Sequence, residues 1–282
     1  MLPSDRAHDD RPIGVFDSGV GGLTVARALI DLLPDEQVVY AGDTARGPYG
    51  PRDLDEVRGF TDELVLHLAG EGVKLVVAAC NTATAAALAV DGTLSGRFPV
   101  PVVGVIAPAV ATAVRATRNG RVGVIGTVGT IASGAYDRAM AAAAPDVKLH
   151  TRACPLFVEL VEAGRTSDPE VLAIARTYLA PLAAADVDTV ILGCTHYPLL
   201  TGVLSYLLGP GVVLVSSAEE TARRVFATLV EAGALARGQA GPHRFASSGD
   251  PATFARLASR FLGPRLPAVG VEALAVGGPA DT

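Results

Sequence analysis

Short runs of Val, Ile, Leu and Ala recur along the chain, most of them stopping at Gly, Asp, Cys or Ser and leading into a helical pattern. The runs cover residues 13–16, 37–41, 75–79, 102–106, 121–125, 189–192 and 212–215, and the helical patterns cover 23–33, 53–71, 107–117, 133–143, 169–185 and 218–232. A strand that reads as continuously apolar is buried on both faces, which is the condition of a parallel sheet flanked by crossover helices. Chemistry in such sheets gathers at the carboxyl ends of the strands. Half of the 282 residues are apolar, yet only 5% are aromatic and Trp is absent, so Ala, Val and Leu must fill the interior. That length accommodates two domains of ordinary size.

The run order repeats. Ile13-Gly14-Val15-Phe16-Asp17-Ser18 matches Val122-Gly123-Val124-Ile125-Gly126-Thr127, and Leu75-Val76-Val77-Ala78-Ala79-Cys80-Asn81-Thr82 matches Thr189-Val190-Ile191-Leu192-Gly193-Cys194-Thr195-His196. The offsets are 109 and 114 residues. An opening strand followed by a cysteine-bearing strand end thus occurs twice, as expected of two related α/β halves that each present one cysteine.

Cys80 stands between an apolar run and Asn81-Thr82-Ala83-Thr84, a good helix start. A thiol at a strand end beside a helix N-terminus is expected to have a lowered pKa, because backbone N–H groups and the helix dipole favour the thiolate. Cys194 has a similar setting, preceded by Gly193 and followed by Thr195-His196-Tyr197-Pro198, with His196 placed to exchange a proton with it. Cys154, in Ala153-Cys154-Pro155, lacks such neighbours and reads as packing. The Asp17-Ser18-Gly19-Val20-Gly21-Gly22 turn opens a helix but lacks the G-x-G-x-x-G spacing of a dinucleotide site; it reads as a strand-to-helix turn with a capping Asp, or as a turn that binds an anion such as a carboxylate. Pro48-Tyr49-Gly50-Pro51 reads as a loop, and Glu162 closes a helical stretch.

Other classes are disfavoured. A net charge of −6 carries no footprint for nucleic acid or anionic membrane. No apolar stretch approaches the 18 or so residues of a membrane span, and residues 1–11 lack the apolar core of a signal peptide. Three cysteines do not make a disulfide framework, so reduced thiols and a cytoplasmic location are expected. Cys194-x-His196 alone is too small a set for a metal. Lys74 and Lys148, the two lysines, precede apolar strands, at the wrong end for a Schiff base.

Together these segments resemble the glutamate racemase family over most of the chain. The resemblance is carried by residues 14–23, by Asp43-Thr44-Ala45-Arg46 with Pro48-Tyr49-Gly50, by Ala79-Cys80-Asn81-Thr82-Ala83, by Cys154-Pro155-Leu156-Phe157 and by Gly193-Cys194-Thr195-His196-Tyr197-Pro198. Cys-Asn-Thr and Gly-Cys-Thr-His-Tyr-Pro also occur in aspartate racemases and related enzymes. Glu159 stands where the family often has Pro. The resemblance implies interconversion of L- and D-glutamate without pyridoxal phosphate or metal, supplying D-glutamate for peptidoglycan. It implies that Cys80 takes the proton from D-glutamate with Asp17 assisting, and Cys194 takes it from L-glutamate with His196 assisting. Ser18, Tyr49, Gly50, Asn81, Thr82 and Thr195 match substrate-binding positions, as do Asp17 and His196, and Glu162 matches an acidic residue near the site. The fold implied is two similar three-layer α/β domains with largely parallel sheets, related by a pseudo-twofold axis, with the site in the cleft between them. Residues 12–108 and 216–263 would form the first domain, 109–215 the second, and 1–11 and 264–282 would be tails. A homodimer is expected. Two acid/base groups on opposite faces of a carbon suffice to invert it in both directions. The rivals are a racemase of aspartate or a hydantoin, a Cys/His nucleophilic hydrolase and a two-domain small-ligand binding protein.

Overall fold

A computed structural model describes residues 8–87, 97–238, 241–263 and 270–276. In chain order the elements are β1 (Ile13–Asp17), α1 (Leu23–Leu32), β2 (Val38–Gly42), α2 (Leu54–Gly70), β3 (Leu75–Ala78), α3 (Asn81–Ala87), β4 (Val102–Gly104) and α4 (Ile106–Ala116). There follow β5 (Arg121–Gly126), α5 (Val128–Ala132), α6 (Ala135–Ala143), β6 (Lys148–Ala153), α7 (Leu156–Glu162), α8 (Pro169–Ala184) and β7 (Thr189–Gly193). A 3-10 turn (Tyr197–Leu200), α9 (Thr201–Leu208), β8 (Val213–Ser216), α10 (Ser217–Glu231), β9 (Arg244–Ser247), α11 (Pro251–Leu262) and β10 (Val271–Ala273) complete the chain.

The strands form two sheets, ordered β10-β9-β2-β1-β3-β4 and β6-β5-β7-β8, and every pairing is parallel. Leaving out β9 and β10, the first order is β2-β1-β3-β4, and the second repeats it with β6, β5, β7 and β8 in the same places. The repeated sequence segments are β1 and β5, the strand beside the sheet centre in each half, and β3 and β7, its neighbour. Their residues are buried almost throughout, which is why they read as unbroken apolar runs.

Strand runs and helix patterns overlap the expected ranges to within a few residues: the pattern at 133–143 is α6, the short α5 precedes it outside any expected range, and residue 106 begins α4. The elements without an apolar signature are β6, β9 and β10. β6 (Lys148 to Ala153) is an edge strand with no fully buried residue, and β10 is the other sheet's edge. Edge strands need no continuous apolar run, so they leave a weak trace in the sequence. β9 pairs with β2, which returns the chain to the first sheet after α10 has packed on α1.

Two tail expectations need correction. Residues 1–7, 264–269 and 277–282 lie outside the described residues. Residues 270–276, however, contain β10 and the buried Leu274, and the main chain at Asp9 is tied into the fold. That tie is a buried ion pair. Lys74 Nζ lies 2.6 Å from Glu36 Oε2 and donates to the carbonyls of Asp9 (2.6 Å) and Ala234 (2.8 Å), while Glu36 Oε1 accepts from Ala236 N–H. One ammonium thus joins the amino-terminal segment, the start of β3 and the chain after α10.

Removing one partner of a buried pair leaves an uncompensated charge. Lys74→Met should therefore lower urea-unfolding stability by about 3–5 kcal/mol. The double variant Lys74→Met/Glu36→Gln should be less destabilised than the single one, because no charge remains buried. Equal losses would show that the pairing is not ionic.

Candidate active site

The carboxyl ends of β3 and β7 open on a single cavity of about 170 Å³, lined from the first sheet by Ser18, Tyr49, Cys80 and Asn81 and from the second by Thr127, Cys194 and His196 among others. Both thiols are almost fully buried.

Cys80 follows β3 and precedes α3. Its Sγ accepts the Ala83 N–H at 3.4 Å and lies 3.7 Å from Ser18 Oγ. The expected lowering of its pKa does not occur. Burial and the nearby Asp17 carboxylate outweigh the Ala83 and Ser18 hydrogen bonds and push the Cys80 thiol up to about 12. A helix N-terminus lowers a thiol pKa only when desolvation is smaller than the dipole's contribution, and here it is not. The thiol is a proton donor at rest.

Asp17 ends β1 and sits behind this thiol rather than on the cavity wall. Its Oδ2 accepts from Gly19 N–H at 3.0 Å, and Oδ1 is buried without a hydrogen-bond partner among the described residues. Burial raises its pKa, against the opposing pull of His196 and of the turn's N–H groups.

On the other side, Cys194 Sγ lies 3.8 Å from His196 Nδ1, and His196 Nε2 lies 2.9 Å from Glu162 Oε1 at the end of α7. Burial pulls the imidazole down, but its hydrogen bonds to Cys194 and Glu162, together with the Cys194 and Asp17 charges, prevail and push it up to about 10. The Phe261 ring from α11 stands edge-on to the imidazole at 5.4 Å between centroids. Thiol, imidazole and carboxylate form a line along which a proton at Cys194 can be stabilised. Glu162 lies behind His196, off the cavity wall.

Packing requires glycine at Gly21 and Gly22 in the turn between β1 and α1. A Cβ on Gly21 would sit 2.3 Å from Thr195 Oγ1 and 2.4 Å from His196 Nδ1, so only glycine lets the first half come this close to the second cysteine segment. Thr24 Oγ1 donates to Thr195 O at 3.1 Å across the same seam. The Pro48–Gly50 loop is held from below. Buried Asp43 accepts from Arg46 Nε at 2.7 Å, from Ser248 Oγ at 2.8 Å and from the Tyr49 hydroxyl, and Arg46 reaches Glu63 at 2.5 Å. Gly50 O accepts from Gly129 N–H at 2.8 Å, closing the loop onto α5.

Of the residues singled out from sequence, Ser18, Tyr49, Gly50, Cys80, Asn81, Thr82, Cys194, Thr195 and His196 line the cavity, and Asp17 and Glu162 back it. Cys154 is buried, and its carbonyl accepts from Tyr197 OH at 2.8 Å. Thr127, Val128 and Val158 also line the cavity and were not anticipated. The signal for Thr127 was present, since the internal repeat aligns it with Ser18. Thr82 Oγ1 lies 3.1 Å from both Thr127 Oγ1 and Thr130 Oγ1. Among the described residues no group of three or more His, Cys, Asp and Glu could hold a metal ion.

Residues 14–225 match the family model described as Asp/Glu/Hydantoin racemase. The chain is 59% identical over 267 residues to a glutamate racemase of Beutenbergia cavernae, covering 91% of each chain. In structure it is similar to a glutamate racemase isoform from Bacillus anthracis, with a TM-score of 0.90 and 42% identity over 96% of this chain and 100% of the other. It is also similar to a glutamate racemase from Francisella tularensis in complex with D-glutamate, with a TM-score of 0.86 and 31% identity over 95% of this chain and 98% of the other.

The His196 pairing makes a pH-dependent prediction. Its folded value lies above the ordinary 6.5, so the stability it contributes is fully present below pH 6.5 and is lost as pH rises through about 10. Glu162→Gln should therefore show its largest stability deficit near the low end of that window and almost none at the high end, in urea unfolding at several pH values. The imidazole's NMR titration should move to lower pH in the variant. A deficit independent of pH would contradict the ionic pairing.

Proposed function

The chain belongs to the Asp/Glu/Hydantoin racemase family, and we propose that within it the protein is a glutamate racemase that moves the α-proton between two thiols, Cys80 and Cys194. One observation carries the reading: two thiols at equivalent strand ends of two sheets with the same strand order face one cavity. A carbon held between them can lose a proton to one and receive a proton from the other, and the reverse reaction uses the same pair.

In this reading the thiol that abstracts is a thiolate and the opposite one is protonated. With L-glutamate, Cys194 abstracts while His196 and Glu162 stabilise the proton's arrival, and Cys80, held as a thiol by burial, delivers its proton to the other face. With D-glutamate, Cys80 abstracts with Asp17 assisting, and Cys194 donates. The carbanion is weakly favoured in water, so a small, largely enclosed cavity with fixed donors raises the acidity of the α-carbon by electrostatic complementarity. Ser18, Tyr49, Gly50, Asn81, Thr82 and Thr195 are the substrate-binding residues of this reading. The Schiff-base route is disfavoured by geometry: Lys74 is held at the start of β3 by Glu36 and two carbonyls, Lys148 begins β6, and neither lines the cavity. No cofactor or metal is assigned.

We further place the enzyme in the cytoplasm, where three free cysteines are at home, acting as a homodimer that supplies D-glutamate for peptidoglycan. These last points rest on the family resemblance.

The test uses circular dichroism without added cofactor. L-Glutamate should lose its optical rotation, and L-aspartate should do so far more slowly. Cys80→Ser and Cys194→Ser should each reduce racemisation by roughly 10²–10⁴-fold, and Cys154→Ser should stay near the parent. Elimination of a leaving group from a β-substituted glutamate analogue needs one abstraction only. Cys194→Ser should keep it for the D-form and Cys80→Ser for the L-form. Complete loss in one cysteine variant with near-normal activity in the other would point to a single-nucleophile hydrolase instead.

A further inference from the structure

The exposed residues on the cavity wall mark its mouth. Pro48 and Pro51 come from the loop of the first half, Val128 and Pro155 from the second, and all four are uncharged. The remaining exposed residue is Glu159, the only carboxylate on the wall. Among the described residues no arginine or lysine lines the cavity, and its one basic side chain, His196, is paired with Glu162 at 2.9 Å.

The placement of Glu159 follows from α7. Phe157, Leu160 and Val161 form the buried face of that short helix, which leaves Glu159 exposed beside Val158 on the cavity wall. The same helix ends on Glu162, so one of the two carboxylates is spent on His196. Glu159 has no hydrogen bond or ion pair among the described residues. Arg52, next to Pro51, does not offset it, since its Nη1 donates to Glu56 at 2.8 Å and its Nε to the Arg46 carbonyl at 2.6 Å. An uncompensated charge in an apolar rim acts on whatever passes, because low-dielectric walls focus its field into the opening.

We infer that Glu159 is a specificity-determining residue that selects ligands by net charge, against dicarboxylates that lack an amino group. The inference rests on the glutamate racemase reading. A cavity that receives both carboxylates of glutamate through neutral hydroxyl and N–H donors offers the same donors to an amino-free dicarboxylate of the same length. Shape and hydrogen bonding do not separate the two, but charge does. Glutamate is singly negative at neutral pH and the amino-free compound doubly negative. A fixed negative charge at the mouth therefore costs the second about twice what it costs the first. Discrimination comes from a repulsive element rather than from an added contact. L- and D-glutamate carry the same charge, so Glu159 weakens both equally and leaves the equilibrium between them unmoved.

Glu159→Gln keeps the size of the side chain and removes its charge. Turnover of glutamate by the parent is measured first. Its absence would sink the racemase reading and this inference with it, whereas turnover with no response in the variant would sink the inference alone. At about 20 mM ionic strength KM for L- and for D-glutamate should fall by the same factor, about two- to threefold. The inhibition constant of glutarate, the amino-free analogue, should fall by about the square of that factor. Both gains should shrink to almost nothing at about 0.5 M salt, where exposed charges are screened. Glu159→Lys should give larger falls in the same order. Asp146→Asn removes the same net charge from an exposed site in the turn leading into β6, at the amino edge of the sheet, and should match the parent. A raised KM in Glu159→Gln would make the residue a partner of the substrate's ammonium. Equal factors for glutamate and glutarate, or gains that persist in high salt, would make its effect steric. Each of these results overturns the inference, as does glutarate failing to inhibit either enzyme.

Discussion

The structure turns on one constraint: two buried thiols from two separate sheets must line one cavity of about 170 Å³. Both reach it because the carboxyl edges of the sheets touch backbone to backbone. The seam shows how. The Gly21 turn lies directly against Thr195 and His196, Thr24 donates to the Thr195 carbonyl, and Gly50 and Gly129 share a hydrogen bond. Behind the seam, buried side chains from both halves, Leu23 and Tyr40 with Leu192 and Tyr197, belong to one continuous apolar core. The halves are therefore fused along their active edges, and apolar burial there holds the cavity closed.

Enclosure sets the electrostatics. Burial withdraws the Cys80 sulfur from solvent, so desolvation dominates over the helix start and the group rests protonated. The same burial would discharge His196, yet Cys194, Glu162 and Asp17 surround it and prevail. The two sides of the cavity thus differ in kind although their strand ends match. One side holds a thiol backed by a buried carboxyl, the other a thiol backed by an imidazole and a carboxylate. Low dielectric strengthens each of these pairings and makes any unpaired polar atom costly, which is why Asn81 Oδ1 and Asp17 Oδ1 stand out.

Much of this was legible in the sequence. The seven apolar runs are strands, and the two repeated segments occupy equivalent places in sheets of the same order. The strand-end cysteines and the residues following them line one cavity. Each of these features is written in residues adjacent along the chain, where burial on both faces of a strand forces an apolar run. β6, β9 and β10 escaped because edge and late strands carry mixed residues. The reason for Gly21 lies 174 residues away, at Thr195, so the local pattern of the turn does not carry it.

By itself, then, the sequence determined the parallel α/β plan, the duplication and the pair of thiols, since local pattern and burial period decide these. Only the tertiary structure decided the protonation of Cys80 and the line from Cys194 through His196 to Glu162. Those properties belong to groups distant in the chain and brought together in a buried seam. Desolvation and hydrogen-bond direction depend on every neighbour in space, and no stretch of sequence contains that set.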